Sequence, residues 1–175
     1  FQSEQYYIRR QFFKVLGAAF HIYDGDGNLA FYSKQKAFKL KEDIRVYGDE
    51  AMNEEVLTIK ARGVIDLGMT YDVIDSASGT AMGAMKRKGL KSIIRDEWAI
   101  LDVDDNEIGI IQEESVALAL LRRFGPVGQV LAPQMFDGRI GETSVLQFKQ
   151  GRNPFVQKIA LDYGMDTGNV LDRRM

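Results

Sequence analysis

Hydrophobic and polar residues alternate along much of the first two thirds of the chain. FHIYDGDGNLAFYSK starts at Phe20 and WAILDVDDNEIGIIQE starts at Trp98, and in both stretches apolar residues recur at every second position around an Asp-rich centre. A period of two predicts β-strands with one buried face, and Asp, Gly and Asn between two such runs favour a turn. Each stretch therefore predicts a β-hairpin.

The same pattern recurs at a regular interval. Two further copies are YDVIDSASGTAMGAMK and the weaker DIRVYGDEAMNEEVLTIK, and in every copy an Asp is followed four positions later by Gly or Asn. These aspartates are Asp24, Asp49, Asp75 and Asp102, roughly 25 residues apart. The hairpins, at about 14–37, 38–62, 63–88 and 89–114, predict an antiparallel meander with its turns at one end and its links at the other.

The period changes after the fourth hairpin. EESVALALLRRFG has acidic residues at its start, Ala and Leu in its middle and two arginines before a Gly-Pro pair, which is the residue order that a helix favours. We predict a helix over residues 113–124. Strand-like runs return from 127 to 163 as VGQVLAP, SVLQFK and FVQKIALDY, separated by the turn signals DGRIGE and GRNP.

The Asp-rich turns resemble the start of a calcium-binding loop. DGDGN does not fit an EF-hand, because Leu29 stands where such a loop requires Gly and Gln35 where it requires Glu. DVDDNE is closer, since Glu113 occupies the twelfth position, although Glu107 replaces the Gly. We favour plain turns at both places and expect no metal. The alternative is a weak calcium site formed by Asp102, Asp104, Asn106 and Glu113.

Composition narrows the chemistry. With 175 residues, 45% of them hydrophobic, the chain can form one globular domain over 1–175. It has no Cys, which excludes disulfides, zinc-thiolate sites and thiol nucleophiles, and it has a single His. His21 lies in an alternating strand and is interpreted as a wall residue rather than a catalytic base. No serine lies in a G-x-S-x-G turn, and no glycine-rich phosphate loop is present. We expect no catalysis and no cofactor.

Charge is sorted along the chain. The formal net charge of −2 disfavours a general nucleic-acid-binding protein. The predicted turns carry mostly Asp and Glu, whereas the predicted links carry mostly Lys and Arg. The predicted meander is therefore expected to be polarised, with an acidic end and a basic end. The competing interpretation is that these charges only keep strand edges soluble and apart.

The hairpin units FHIYDGDGNLAFYSK and WAILDVDDNEIGIIQE, together with the terminal LDRRM, resemble the LURP-one-related proteins of the tubby C-terminal-like and phospholipid-scramblase-like superfamily, over about residues 6–175. The resemblance implies a mainly β fold, a closed antiparallel barrel of about twelve strands around a buried hydrophobic helix. In that family the helix follows an LDRR-like stretch, so it would begin at Asp172–Met175. We expect the chain to be trimmed before this helix, because an emptied barrel would lose much of its core.

The resemblance also implies a function. Tubby-like domains bind phosphoinositide head groups through Lys and Arg, and scramblase-like members associate with membranes. KRKGLKSIIR, residues 86–95, places five cations beside two isoleucines. We expect a non-catalytic module that binds anionic phospholipid or phosphoinositide head groups. The candidate residues, matched by charge and location only, are Lys86, Arg87, Lys88 and Lys91, then Lys36 and Lys39.

A second function class stays open. The chain could be a soluble scaffold that binds a protein partner and neither lipid nor nucleic acid. Nucleic acid is disfavoured because the acidic turns would repel a polyanion and aromatic residues do not interleave with the cations. No apolar run is long enough to span a membrane. We expect a cytoplasmic protein with peripheral attachment to a membrane.

Overall fold

The computed structural model describes residues 1–13, 17–35, 43–63, 69–89, 96–114, 134–151 and 158–175. These residues form a closed barrel of β-strands. The strands are β1 (Gln5–Phe13), β2 (Gly17–Asp24), β3 (Leu29–Gln35), β4 (Ile44–Tyr47), β5 (Glu55–Ala61), β6 (Thr70–Asp75), β7 (Ala81–Arg87), β8 (Glu97–Leu101), β9 (Glu107–Glu113), β10 (Met135–Ile140), β11 (Thr143–Gln150) and β12 (Lys158–Asp162).

Each strand pairs in antiparallel fashion with its neighbours in the sequence, and β1 pairs with β12 to close the barrel. The predicted antiparallel barrel of about twelve strands is therefore confirmed. The predicted hairpins are β2–β3, β4–β5, β6–β7 and β8–β9, and β10–β11 adds another. We call the end that carries these hairpin turns the turn end. The opposite end, where β1 ends and β12 begins, is the link end.

The core lies inside the barrel. Ile100 has no exposed surface, and Leu146 is only 2% exposed. They belong to one cluster with Tyr6, Ile111, Val145, Tyr163 and Leu171. Burial of this apolar surface is the main favourable contribution to folding.

The described residues contain no helix. Glu113, predicted to open a helix, is instead the last residue of β9 and donates its backbone N–H to Asp96 at 3.0 Å. Residues 115–124 lie outside the described part of the chain. The central helix implied by the resemblance is not among the described residues either. Within them, Leu171 belongs to the inner cluster and Met175 packs against it.

The turn signal DGRIGE was placed too early. Asp137 to Ile140 belong to β10, and only Gly141 and Glu142 form the turn. This strand position is occupied by Gly138 because a β-carbon there would lie only 2.5 Å from Cγ of Leu146. A glycine inside a strand often marks such a close approach or a bulge, and the register shifts between Gly138 and Arg139.

Replacement of Ile100 tests the core. We expect Ile100→Ala to lower the free energy of unfolding by about 2–5 kcal/mol, because it removes buried methyl groups and leaves a cavity. Ile108→Ala is the matched control, since Ile108 is 40% exposed. The control should change stability by about 0.5 kcal/mol or less. Urea denaturation followed by circular dichroism measures both, and equal losses would contradict the assigned core.

Candidate anion-binding surface

Two of the hairpin turns share one hydrogen-bond pattern. Oδ1 of Asp102 accepts the backbone N–H groups of Asp104 at 2.9 Å and Asn106 at 2.8 Å, and its Oδ2 accepts Nδ2 of Asn106 at 2.9 Å. Asp24 accepts the same three kinds of bond from residues 26 and 28. These bonds explain the recurring Asp and the Asn four positions later.

The third position after the Asp adopts the left-handed backbone conformation in three of the turns. Its φ is +85° at Gly27, +60° at Met52 and +66° at Asp105. Glycine takes this conformation readily, and Asp or Asn takes it more easily than most residues. These three turns are therefore similar in backbone conformation, and the turns of Asp24 and Asp102 are similar in hydrogen bonding as well. Turn formation accounts for their polar residues.

The alternative calcium ligands are not brought together. Glu113 ends β9 at the link end, whereas Asp102 and Asn106 lie in the turn before that strand begins. Seven residues of β-strand separate the two places, which corresponds to roughly 20 Å. The carboxylate of Asp102 is also engaged by donors of its own turn. Within the described part of the chain, no group of three or more His, Cys, Asp or Glu could hold a metal ion.

Of the predicted lipid-binding residues, three lie in the described part. Lys86 is in β7 and its side chain is exposed. Arg87 contacts Asp96 at 2.8 Å. Lys88 contacts Glu97 at 3.3 Å and also binds Glu107. Lys36, Lys39 and Lys91 lie outside the described residues.

Asp96 and Glu97 were overlooked in the sequence. They directly follow KRKGLKSIIR, so the signal for compensating acids was present next to the basic segment. Hydrogen bonding to Glu107, followed by that to Glu97, raises the pKa of Lys88 above its ordinary value. The link end is therefore less basic than a count of its cations indicates.

The predicted separation of charge between the two ends is incomplete. Arg62, which directly follows β5 at the link end, forms bonds of 2.6 Å to Asp72 and 2.7 Å to the turn residue Asp105. Hydrogen bonds to these carboxylates, that to Asp105 first, raise the pKa of Arg62 further. Arg62, Asp105 and Lys86 line the same cavity of about 300 Å³. An acidic residue of a turn thus forms an ion pair with a cation of the link end on the outer wall of the barrel.

His21 lies in β2, in the wall where its alternating pattern placed it. Its Nε2 is 3.3 Å from Oε1 of Glu50, and its ring packs edge-on against Tyr32 at 5.1 Å. Tyr32 and His21 are directly opposite each other on β3 and β2. The imidazole is therefore packed between aromatic and acidic neighbours.

Replacement of Asp102 tests the turn assignment. We expect Asp102→Ala to lower the melting temperature more than Asp104→Ala, because Asp102 accepts three hydrogen bonds of the turn through its side chain. These hydrogen bonds, the one from the Asn106 side chain first, lower the pKa of Asp102 from its ordinary value of 3.8.

The pH dependence of this difference follows from the direction of the shift. A carboxyl with a lowered folded-state pKa stabilises the fold above its ordinary pKa, and this contribution disappears as the pH falls through the folded-state value. The melting difference between the wild type and Asp102→Ala should therefore be full at pH 7 and shrink at low pH. Thermal denaturation from pH 7 to pH 2 measures it, and a constant difference would contradict the assignment.

Comparison with known proteins identifies the family. The family model described as LURP-one-related matches residues 29–126, which is more than half of the chain. No curated protein and no solved structure matches the chain. The described residues include no helix that is long and apolar enough to cross a membrane. The match spans β3 to β9 and so contains three of the four predicted hairpins in full. The chain belongs to the LURP-one-related family.

Proposed function

We propose that this LURP-one-related domain is a non-catalytic module that binds anionic phospholipid or phosphoinositide head groups at a membrane surface through its link end. The observation that carries the proposal is the exposed Lys86 at the start of a ten-residue segment with five cations and no acid. The strands on either side of each link between hairpins end and begin at this one end of the barrel. Cations from separate links could therefore act on one flat anionic surface.

The electrostatic contribution can be estimated. A basic residue near an anionic leaflet contributes about 1 kcal/mol, and salt screens the attraction over a Debye length. Arg87 and Lys88 contribute less than free cations would, because each contacts carboxylates. The proposal therefore depends mainly on Lys36, Lys39, Lys86 and Lys91.

The absence of catalysis is part of the proposal. It is supported by the packing of His21, whose Nε2 contacts Glu50 beside two tyrosines, Tyr23 and Tyr32. A general base must reach a proton of the substrate, whereas this imidazole is packed against neighbouring side chains. A cytoplasmic location with peripheral membrane attachment fits the same proposal, as does the resemblance to tubby-like and scramblase-like domains.

One observation favours a second function. The pairing of Arg62, Arg87 and Lys88 with carboxylates leaves a mixed outer surface rather than a uniformly basic one. Mixed charges of this kind suit a protein partner better than a lipid bilayer. The alternative is therefore a scaffold that binds protein and neither lipid nor nucleic acid.

Co-sedimentation with vesicles separates the two functions. We expect the protein to bind vesicles with 20% phosphatidylglycerol or 5% phosphatidylinositol bisphosphate in low salt and to bind neutral vesicles weakly. A variant with Lys36, Lys39, Lys86 and Lys91 changed to Gln should lose at least about tenfold in binding, because each cation contributes about 1 kcal/mol.

A charge-matched control makes this result specific. The control variant combines Arg139→Glu, Ala77→Glu and Thr143→Glu, three exposed positions at or next to turns of the turn end, and so lowers the formal charge by the same four units away from the link end. It should retain most of the binding. Equal binding of neutral and anionic vesicles, or equal losses in the two variants, would contradict the lipid proposal and favour the scaffold.

A further inference from the structure

A groove lies on the outer wall of the barrel where β1 and β12 close it. Tyr7 and Arg9 alternate with the buried Tyr6, so they face outward, and Tyr7 is 47% exposed. The register places Tyr7 opposite Ala160 on β12, and Arg9 opposite Lys158. This part of the wall therefore carries aromatic and cationic side chains side by side.

The neighbouring strands complete the groove. On β11, Lys149 is opposite Ala160, and on β2, Tyr23 is opposite Tyr7. One row across the four strands therefore consists of Lys149 on β11, Ala160 on β12, Tyr7 on β1 and Tyr23 on β2. The small side chain of Ala160 lies between larger neighbours and leaves a depression. The groove, which we call the closure groove, has a volume of about 470 Å³ and is lined by Tyr7, Arg9, Tyr23, Lys149, Lys158 and Ala160 among others.

The cations of the closure groove differ from several other described cations in their ion pairing. Among the described residues, neither Arg9, Lys149 nor Lys158 forms an ion pair, in contrast to Arg45, Arg62, Arg87, Lys88 and Arg174. On the same face of β12, Asp162 accepts hydrogen bonds from Gln5 and Gly164 instead. On the other side of the groove, Glu50 contacts His21.

The connecting segments do not supply acids in their sequence. Residues 14–16 are Lys-Val-Leu and residues 152–157 are Arg-Asn-Pro-Phe-Val-Gln, so neither contains Asp or Glu. Arg9 and Lys158 are also directly opposite each other across two paired strands. Like charges in that position destabilise a sheet. A bound anion would remove this repulsion.

We propose that the closure groove binds a phosphate monoester. Such a group carries between one and two negative charges at pH 7 and offers strong acceptor oxygens, so it can accept bonds from Arg9, Lys149 and Lys158 together. The faces of Tyr7 and Tyr23 then contact the organic part of the ligand. A phosphodiester, with a single negative charge, neutralises the three cations less well. These residues are not those of the proposed link-end surface, so either proposal can fail alone.

The ester could come from a lipid or from a soluble molecule. Glycerol 3-phosphate serves as the soluble probe in isothermal titration calorimetry. Vesicles with 10% phosphatidic acid serve as the lipid probe and are compared with vesicles that contain 15% phosphatidylglycerol, which carry about the same surface charge. We expect binding of at least one monoester probe, and a preference for phosphatidic acid over phosphatidylglycerol if the source is a lipid.

Two variants with equal charge changes decide the question. Arg9→Gln with Lys149→Gln and Lys158→Gln should weaken monoester binding at least about tenfold, because each lost charge-assisted bond counts for more than a neutral one. Lys34→Gln with Lys60→Gln and Arg139→Gln is the control and should keep it. The single variant Lys149→Gln should give a smaller loss, and circular dichroism shows that each variant is folded.

The outcomes are distinguishable from those of the lipid proposal. Binding of glycerol 3-phosphate alone, of phosphatidic acid alone, or of both, lost in the groove variant and kept in the control, supports the closure groove and identifies its source. Loss of phosphatidylglycerol binding in the link-end variant, with monoester binding kept, separates the two surfaces. Failure of the wild type to bind either monoester, or equal binding by the wild type and the groove variant, would overturn the assignment.

Discussion

The pairing of β1 with β12 is the constraint on which the rest of the structure depends. All other strand pairs join neighbours in the sequence, whereas this one joins the two ends of the described chain, from Gln5 opposite Asp162 to Arg9 opposite Lys158. Contacts beyond the strands support it. Tyr163 donates its backbone N–H to the carbonyl of Glu4 at 2.8 Å. Closure pairs β1 and β12 with each other, so neither of these two described strands presents the open edge that it would have in an open sheet.

The same closure organises the charges. A meander of hairpins would sort turns to one end and links to the other even as an open sheet, but only a closed sheet brings β11, β12, β1 and β2 into one outer surface. Lys149 and Arg9 are far apart in sequence and lie on strands that flank β12 on either side. On the opposite side, Arg62 reaches Asp105 from another hairpin, and the two charges neutralise each other. Among the described residues, the wall therefore has one part in which cations are paired with carboxylates and another, the closure groove, in which they are not.

The local features could be predicted from the sequence because their causes are local. Each of the four predicted turns has an Asp that accepts hydrogen bonds from residues two to four positions ahead, and the alternation around it specifies the strands. Asp96 and Glu97 directly follow the basic segment in the sequence, so a count of charges that extended past residue 95 would have included them. The helix predicted from residue 113 began inside a strand, because Glu113 continues the ladder with β10 and the apolar alternation of β9 ends there.

The candidate site was less predictable for a physical reason. The ion pair of Arg62 with Asp105 and the meeting of Arg9 with Lys158 depend on how the sheet coils and closes, and no periodicity in a single segment reports that geometry. The resemblance to a barrel family supplied the closure, but not its register. Without the register, residues 9, 149 and 158 are isolated cations in three separate strands.

A disulfide across the closing strands tests this account most directly. The chain has no cysteine, so Gln5→Cys with Asp162→Cys introduces a single pair at positions that are opposite each other. Opposed residues have Cα atoms within the roughly 4.4–6.8 Å that a disulfide spans. The account predicts that this variant forms an intramolecular disulfide under mild oxidation, whereas Gln5→Cys with Ala160→Cys, two residues out of register on the same face, does not. Equal disulfide formation in the two variants, or none in the first, would contradict closure of the barrel in this register.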